Sequence, residues 1–159
     1  MRRFGFVVFT VCIFAACQPA TTELTEGQKA EIAETVMQAN ADYWAAWARM
    51  EDVDEYTAYY SDKYGHFPLV RFESLEAHRS RVIELWGGLR AWEIQQMEMG
   101  VRVLSPDEAF LAGSAVSLLT DTTGATEVWE QDYAYVWVRE EAGWKLGAAS
   151  VSTEIREPQ

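Results

Sequence analysis

The hydrophobic period of this chain changes once, and that change limits what it can fold into. Up to about Gly88 the apolar residues recur every three or four positions, and from Arg90 onward they recur every second position. The first spacing makes a stripe along a helix; the second sorts side chains onto the two faces of a strand. Ile32, Val36, Ala39, Tyr43, Trp47 and Met50 share one stripe of a long helix that begins near Glu26. Glu51-Asp52 interrupts it, and a short second helix from about Asp54 presents Tyr56, Tyr59 and Tyr60. Gly65 and Pro68 mark a turn or short extended segment. Ser74 has N-cap chemistry for a third helix, whose apolar face is Leu75, His78, Val82, Leu85 and Trp86 and whose end is Gly87-Gly88.

In the period-two part, Trp92 and Ile94 share a face while Met97, Met99, Val101 and Val103 hold the opposite phase. A β-bulge at Gln95-Gln96 is therefore expected. Ser105-Pro106-Asp107 and Thr122-Thr123-Gly124 make turns on either side of a largely apolar strand from Ala109 to Thr120. Glu127 to Arg139 and Trp144 to Ile155 then form a hairpin around Ala142-Gly143. Three helices followed by a mostly antiparallel sheet make an α+β layout.

Residues 1–16 read as an export signal. Arg2 and Arg3 precede an apolar run from Phe4 to Ala16 that falls short of the roughly 20 residues a membrane-spanning helix needs. The run ends in Phe14-Ala15-Ala16-Cys17, which resembles the bacterial lipobox, with Phe14 where Leu is usual. The resemblance implies cleavage before Cys17 and a lipid on that cysteine. Residues 17–27 then serve as lipidated cysteine and tether, and residues 28–156 as one domain. Cys12 and Cys17 are the only cysteines, so a disulfide or thiolate zinc site in the domain is excluded. The formal charge is −12, and loss of Arg2 and Arg3 takes it to −14. So acidic a surface repels phosphate backbones, which argues against a nucleic-acid partner. The expected location is the cell envelope, anchored to a membrane through Cys17. By the Gram-negative sorting rule, Gln18 instead of Asp implies the periplasmic side of the outer membrane.

Asp42-Tyr43-Trp44-Ala45-Ala46-Trp47, the break at Glu51-Asp52, and Tyr59-Tyr60-Ser61-Asp62 resemble the opening of the nuclear transport factor 2-like superfamily, in its SnoaL-like branch. Tyr135-Val136-Trp137-Val138 and Ala142-Gly143-Trp144-Lys145-Leu146 resemble that branch's final hairpin. The resemblance spans residues 27–155. It implies a curved sheet wrapped around helices as a cone with a hydrophobic cavity, in a group that includes ketosteroid isomerase, scytalone dehydratase, polyketide cyclases and many proteins that only bind or assemble. Many relatives carry a histidine near the end of the last strand. Here that stretch is Ala148-Ala149-Ser150-Val151-Ser152, so chemistry borrowed from that histidine is absent.

The hairpin can also be read by alternation alone. With Trp137 across from Trp144, one face carries Trp129, Gln131, Tyr133, Tyr135, Trp137, Trp144, Leu146, Ala148 and Ser150. The other carries Glu130, Asp132, Ala134, Val136, Val138, Lys145 and Ala149. The charges all fall on the second face, so the aromatic face is expected inside. Tyr43, Trp47, Trp129, Tyr133 and Tyr135, with Gln131 and Ser150 as polar points, would suit a small apolar molecule. Alternatively, the rings simply fill the core.

Acid–base chemistry in such a cavity needs an ionisable group whose pKa burial can move. A ketosteroid-isomerase-like mechanism needs a carboxylate base and a hydroxyl donor. Donors abound in Tyr43, Tyr60, Tyr133 and Tyr135, but no carboxylate lies on the inward hairpin face, which leaves Asp62, His66 or Glu93 as the base. A cofactor-free isomerase, dehydratase or cyclase would use Tyr60 with Asp62 or His66. His66 is otherwise an exposed loop histidine, and His78 is expected as a hydrogen-bonded core residue. No metal or cofactor motif is present: the two histidines are twelve residues apart, without ligand spacing. A lipid-anchored module that binds a small molecule is the first expectation. A cofactor-free enzyme and a structural module dimerising through the outer sheet face are the alternatives.

Overall fold

The computed structural model describes residues 23–62 and 74–157; Cys17 and His66 lie outside them. Helix α1 (Glu26–Arg49) starts with a capping box. The Gln28 backbone N–H donates to the Thr25 hydroxyl at 3.3 Å, and the Thr25 N–H donates to the Gln28 side chain at 2.9 Å. The last residues of the stretch read as a tether are thus the cap and first turn of the helix. Met50 ends α1 in the left-handed region, at φ 53°. Its buried face is Val36, Asn40, Tyr43, Trp44 and Ala46, with Ile32, Ala39 and Trp47 half-buried alongside. The apolar stripe therefore holds, but it is rotated toward Asn40, a polar residue that counting apolar positions skips.

A short α2 (Val53–Thr57) is capped by Asp52, whose carboxylate accepts from the N–H groups of Asp54 and Glu55. Ion pairs tie it to both neighbours, Arg49 with Glu55 and Arg79 with Asp54. Ser74 caps α3 (Leu75–Gly87) as expected, accepting from the Ala77 N–H at 3.2 Å. The sheet is an antiparallel meander in the order β1 (Leu89–Ser105), β2 (Glu108–Asp121), β3 (Thr126–Glu140) and β4 (Gly143–Arg156). Helices followed by an open antiparallel sheet make the expected α+β layout, with the helices packed on one face of the sheet.

Of the register shifts in the sheet, two decide which side chains face the helices. In β1 the register slips between Ile94 and Gln96, at the predicted place, so Trp92 and Ile94 share the inner face with Met97 and Met99 beyond the slip. The second lies in β4 and corrects the expected hairpin register. Strands β3 and β4 join through Glu141-Ala142, with Gly143 at φ 111°, and Trp137 pairs with Leu146, not with Trp144. Val136 then pairs with Ala148, so Gly147 is the extra residue. That residue inverts the phase of the rest of the strand. Ala149, Val151 and Thr153 pair with inward Tyr135, Tyr133 and Gln131, while Ala148 and Ser150 pair with Val136 and Ala134 on the outer face.

At Gly113 in β2 the Tyr133 ring lies across the strand, and its hydroxyl reaches the Glu98 carbonyl on β1 at 3.4 Å. A Cβ there would fall 2.1 Å from that carbonyl oxygen and 2.7 Å from the Tyr133 hydroxyl. The core fills the concave side, where α1 residues Val36, Tyr43 and Trp44 pack on Leu111, Tyr133, Trp137 and Leu146. The segment after α2 is joined to the β4 edge: the Ser61 N–H donates to the Leu146 carbonyl at 3.0 Å, and the Leu146 N–H to the Tyr59 carbonyl at 2.7 Å. This pairing holds Tyr60 against the sheet. Among the described residues no helix is long and apolar enough to cross a membrane.

Candidate functional site

Each helix contributes to one end of a cavity of about 380 Å³ under the sheet. Tyr43, Trp44 and Trp47 enter from α1, Tyr56 and Tyr60 from α2 and the segment after it, and His78, Arg81, Val82 and Leu85 from α3. The sheet supplies Trp92, Trp129, Gln131, Tyr135, Ala149, Val151 and Thr153. One wall is a run of indoles. Trp47 meets Trp92 edge-on at 5.1 Å between centroids, and Trp92 meets Trp129 at 5.3 Å. Such edge-to-face pairs add about 0.5–1.5 kcal/mol each beyond the area they bury, so this wall is stiff.

The polar end is a cluster of phenols around a histidine. The Tyr43 hydroxyl lies 3.0 Å from that of Tyr56 and 3.1 Å from that of Tyr60, which are themselves in contact. Nε2 of His78 lies 2.8 Å from the Tyr60 hydroxyl and 3.2 Å from that of Tyr56. On the far side of the ring an Arg81 Nη2 approaches Nδ1 at 3.0 Å. Burial holds the Tyr43 hydroxyl above its ordinary pKa, although hydrogen bonds from Tyr56, Tyr60 and Tyr135 work against it. Burial raises Tyr56 far more. Both therefore stay neutral at ordinary pH.

Of the residues expected at the site, Tyr43, Tyr60, Trp47, Trp129, Gln131 and Tyr135 line the cavity. Gln131 donates toward the Thr153 hydroxyl at 3.5 Å, and its Oε1 is buried without a hydrogen-bond partner among the described residues. Tyr133 is buried in the core over Gly113, outside the lining, and burial pushes its hydroxyl up to about 12. Ser150 is corrected: the Gly147 bulge turns it to the outer face, where it is exposed. Asp62 and Glu93 are exposed and do not line the cavity. Among the described residues no carboxylate lines it, and no three His, Cys, Asp or Glu side chains converge to hold a metal.

The histidine that reaches the tyrosines is His78. Its place on the apolar face of α3 was legible, but not that this face meets the hydroxyls of α2. Tyr56 was legible as an inward residue, and only its contact with Tyr43 and His78 gives it a site role. Arg81 carried no sequence signal; it lies next to Val82 and reaches Nδ1 of His78 one turn back.

No family model matches this sequence, and neither does any curated protein. Solved structures match it in shape. A candidate scytalone dehydratase from Novosphingobium aromaticivorans is 13% identical with a TM-score of 0.68, and the match covers 82% of this chain and 89% of that one. A hexachlorocyclohexane dehydrochlorinase from Novosphingobium barchaimii is 8% identical with a TM-score of 0.66, over 83% of this chain and 93% of that one. A candidate dehydratase of the nuclear transport factor 2-like family from Streptomyces avermitilis is 15% identical with a TM-score of 0.62, over 76% and 95%. At such identities the likeness is one of fold.

Proposed function

We propose that this chain binds a small, flat and mainly apolar molecule in the cavity between the indole wall and the tyrosine cluster. The observation that carries the reading is the cavity itself: about 380 Å³, aromatic along its walls and polar at one end. Ligand sites are of this size and composition, with a few polar groups to fix orientation. A thermal-shift series with small aromatic and alicyclic compounds tests it. At least one should raise the melting temperature in proportion to the logarithm of its concentration, and a flat response across the series counts against it.

The His78–Tyr60 contact favours a second reading, cofactor-free proton transfer on the bound molecule. Tyr60 and Tyr56 would supply the acid, with His78 behind them as their hydrogen-bond partner where Asp62 or His66 stood as candidates. Candidate dehydratases are among the fold neighbours, and loss of water needs a general acid for the departing hydroxyl. Under this reading Tyr60→Phe and His78→Asn remove a turnover and keep ligand binding.

We also propose that a lipid on Cys17 anchors the domain at the cell envelope and that the outer face of the sheet, around Val136, pairs two copies. Cys17→Ser should move the protein from the membrane fraction to the soluble one.

A further inference from the structure

The cluster contains a direction that the ligand must respect. A guanidinium has only donors. Where Arg81 Nη2 sits 3.0 Å from Nδ1 of His78, that ring nitrogen must be the acceptor, and the proton of the neutral ring is on Nε2. Nε2 faces the hydroxyls of Tyr60 and Tyr56 at 2.8 and 3.2 Å. His78 is then a donor into the cluster, and a tyrosine oxygen accepts from it. A phenol that accepts a hydrogen bond becomes a better donor through its own proton.

Arg81 is also the one charged side chain lining the cavity among the described residues.

We propose that Arg81 is the positioning residue of this site: it fixes His78 as the Nε2–H tautomer, turns the tyrosine cluster into a donor, and so selects ligands that present an acceptor oxygen. This rests on the cavity being a binding site, and it names the class of ligand, a small ring system bearing a carbonyl or similarly basic oxygen. A basic nitrogen in that position would need a proton acceptor, and no carboxylate among the described residues lines the cavity to supply one.

The test has two arms, both on the full chain. The first is nitrogen NMR of histidine-labelled protein, in which His66 and His78 are the only two rings. His78 should show a protonated Nε2 and a bare Nδ1, and Arg81→Met should shift it toward the other tautomer. A protonated Nδ1 in the wild type overturns the proposal even if the variant does not fold.

The second arm compares acetophenone with α-methylstyrene, which replaces the carbonyl oxygen by a methylene. The ketone should bind about tenfold more tightly, the worth of one net hydrogen bond. Arg81→Met should bring the ratio toward one. Equal binding of the two to the wild type refutes the selectivity and spares the cavity; binding of neither refutes the cavity reading.

Discussion

Replacing Gly113 by alanine should be among the most damaging single-methyl additions in the sheet. The added Cβ falls 2.1 Å from the Glu98 carbonyl oxygen, whereas ordinary contact begins near 3.4 Å, so the strands must part by about 1.3 Å or the carbonyl must rotate. Backbone on one side and the Tyr133 hydroxyl at 2.7 Å on the other leave no flexible side chain to give way. Overpacking against side chains alone costs about 1–3 kcal/mol, and a backbone clash places this site at about 3 kcal/mol or above. For a domain of this size each kcal/mol shifts the melting temperature by about 4 °C, so the loss is about 12 °C.

Circular dichroism melting measures it, with Gly100→Ala as control, because a Cβ at Gly100 meets nothing within 4 Å. Adding Tyr133→Phe removes the 2.7 Å contact but not the 2.1 Å one, and should recover only part of the loss. A Gly113→Ala protein that melts within 2 °C of the wild type (about 0.5 kcal/mol) would refute the argument, since the strand crossing would then be looser than the geometry requires.

Alkaline pH should destabilise the fold through its buried phenols. Tyr133 titrates at about 12 in the folded state against an ordinary value of 10, so its contribution is intact below pH 10 and drains between about 10 and 12. Urea midpoints should fall across that window, and less steeply in Tyr133→Phe. Asn40→Leu should weaken the contact to Tyr133 and the bond to Met99 Sδ at 3.5 Å while filling the same volume, with a change within about 1 kcal/mol in either direction by chemical denaturation. If two copies pair through the sheet, Val136→Arg on its outer face should halve the mass seen by light scattering and leave melting unchanged for the separated domain.

The order of elements was legible because periodicity reports it directly: the change at Arg90, the Ser74 cap and the slip at Gln95 are all local signals. The register of the last hairpin was not. A two-residue turn at Glu141-Ala142 and one at Ala142-Gly143 leave nearly the same mark in sequence, and the slip at Gly147 leaves almost none, because Gly147-Ala148-Ala149 is equally small on both faces. Unbroken alternation therefore puts Ser150 inside and Thr153 outside, the reverse of their places in the fold. The site was half legible for a related reason. Tyr43 and Tyr60 announce themselves as inward residues, but the histidine that meets them depends on how α3 leans over α2, which the Arg79–Asp54 pair helps to fix. A residue such as Arg81, whose role comes from the side chain it meets, has no pattern for periodicity to detect.

The slip at Gly147 also means that the chemistry along one wall of the cavity is set by counting rather than by identity. Straightening the strand with Gly147 kept in the ladder would turn Ser150 and Ser152 to the interior and expel Ala149, Val151 and Thr153, whereas deleting Gly147 would leave every later pair and its facing as they are. A lineage, or an engineer, could thus lock the present lining in place through one deletion, with no residue replaced.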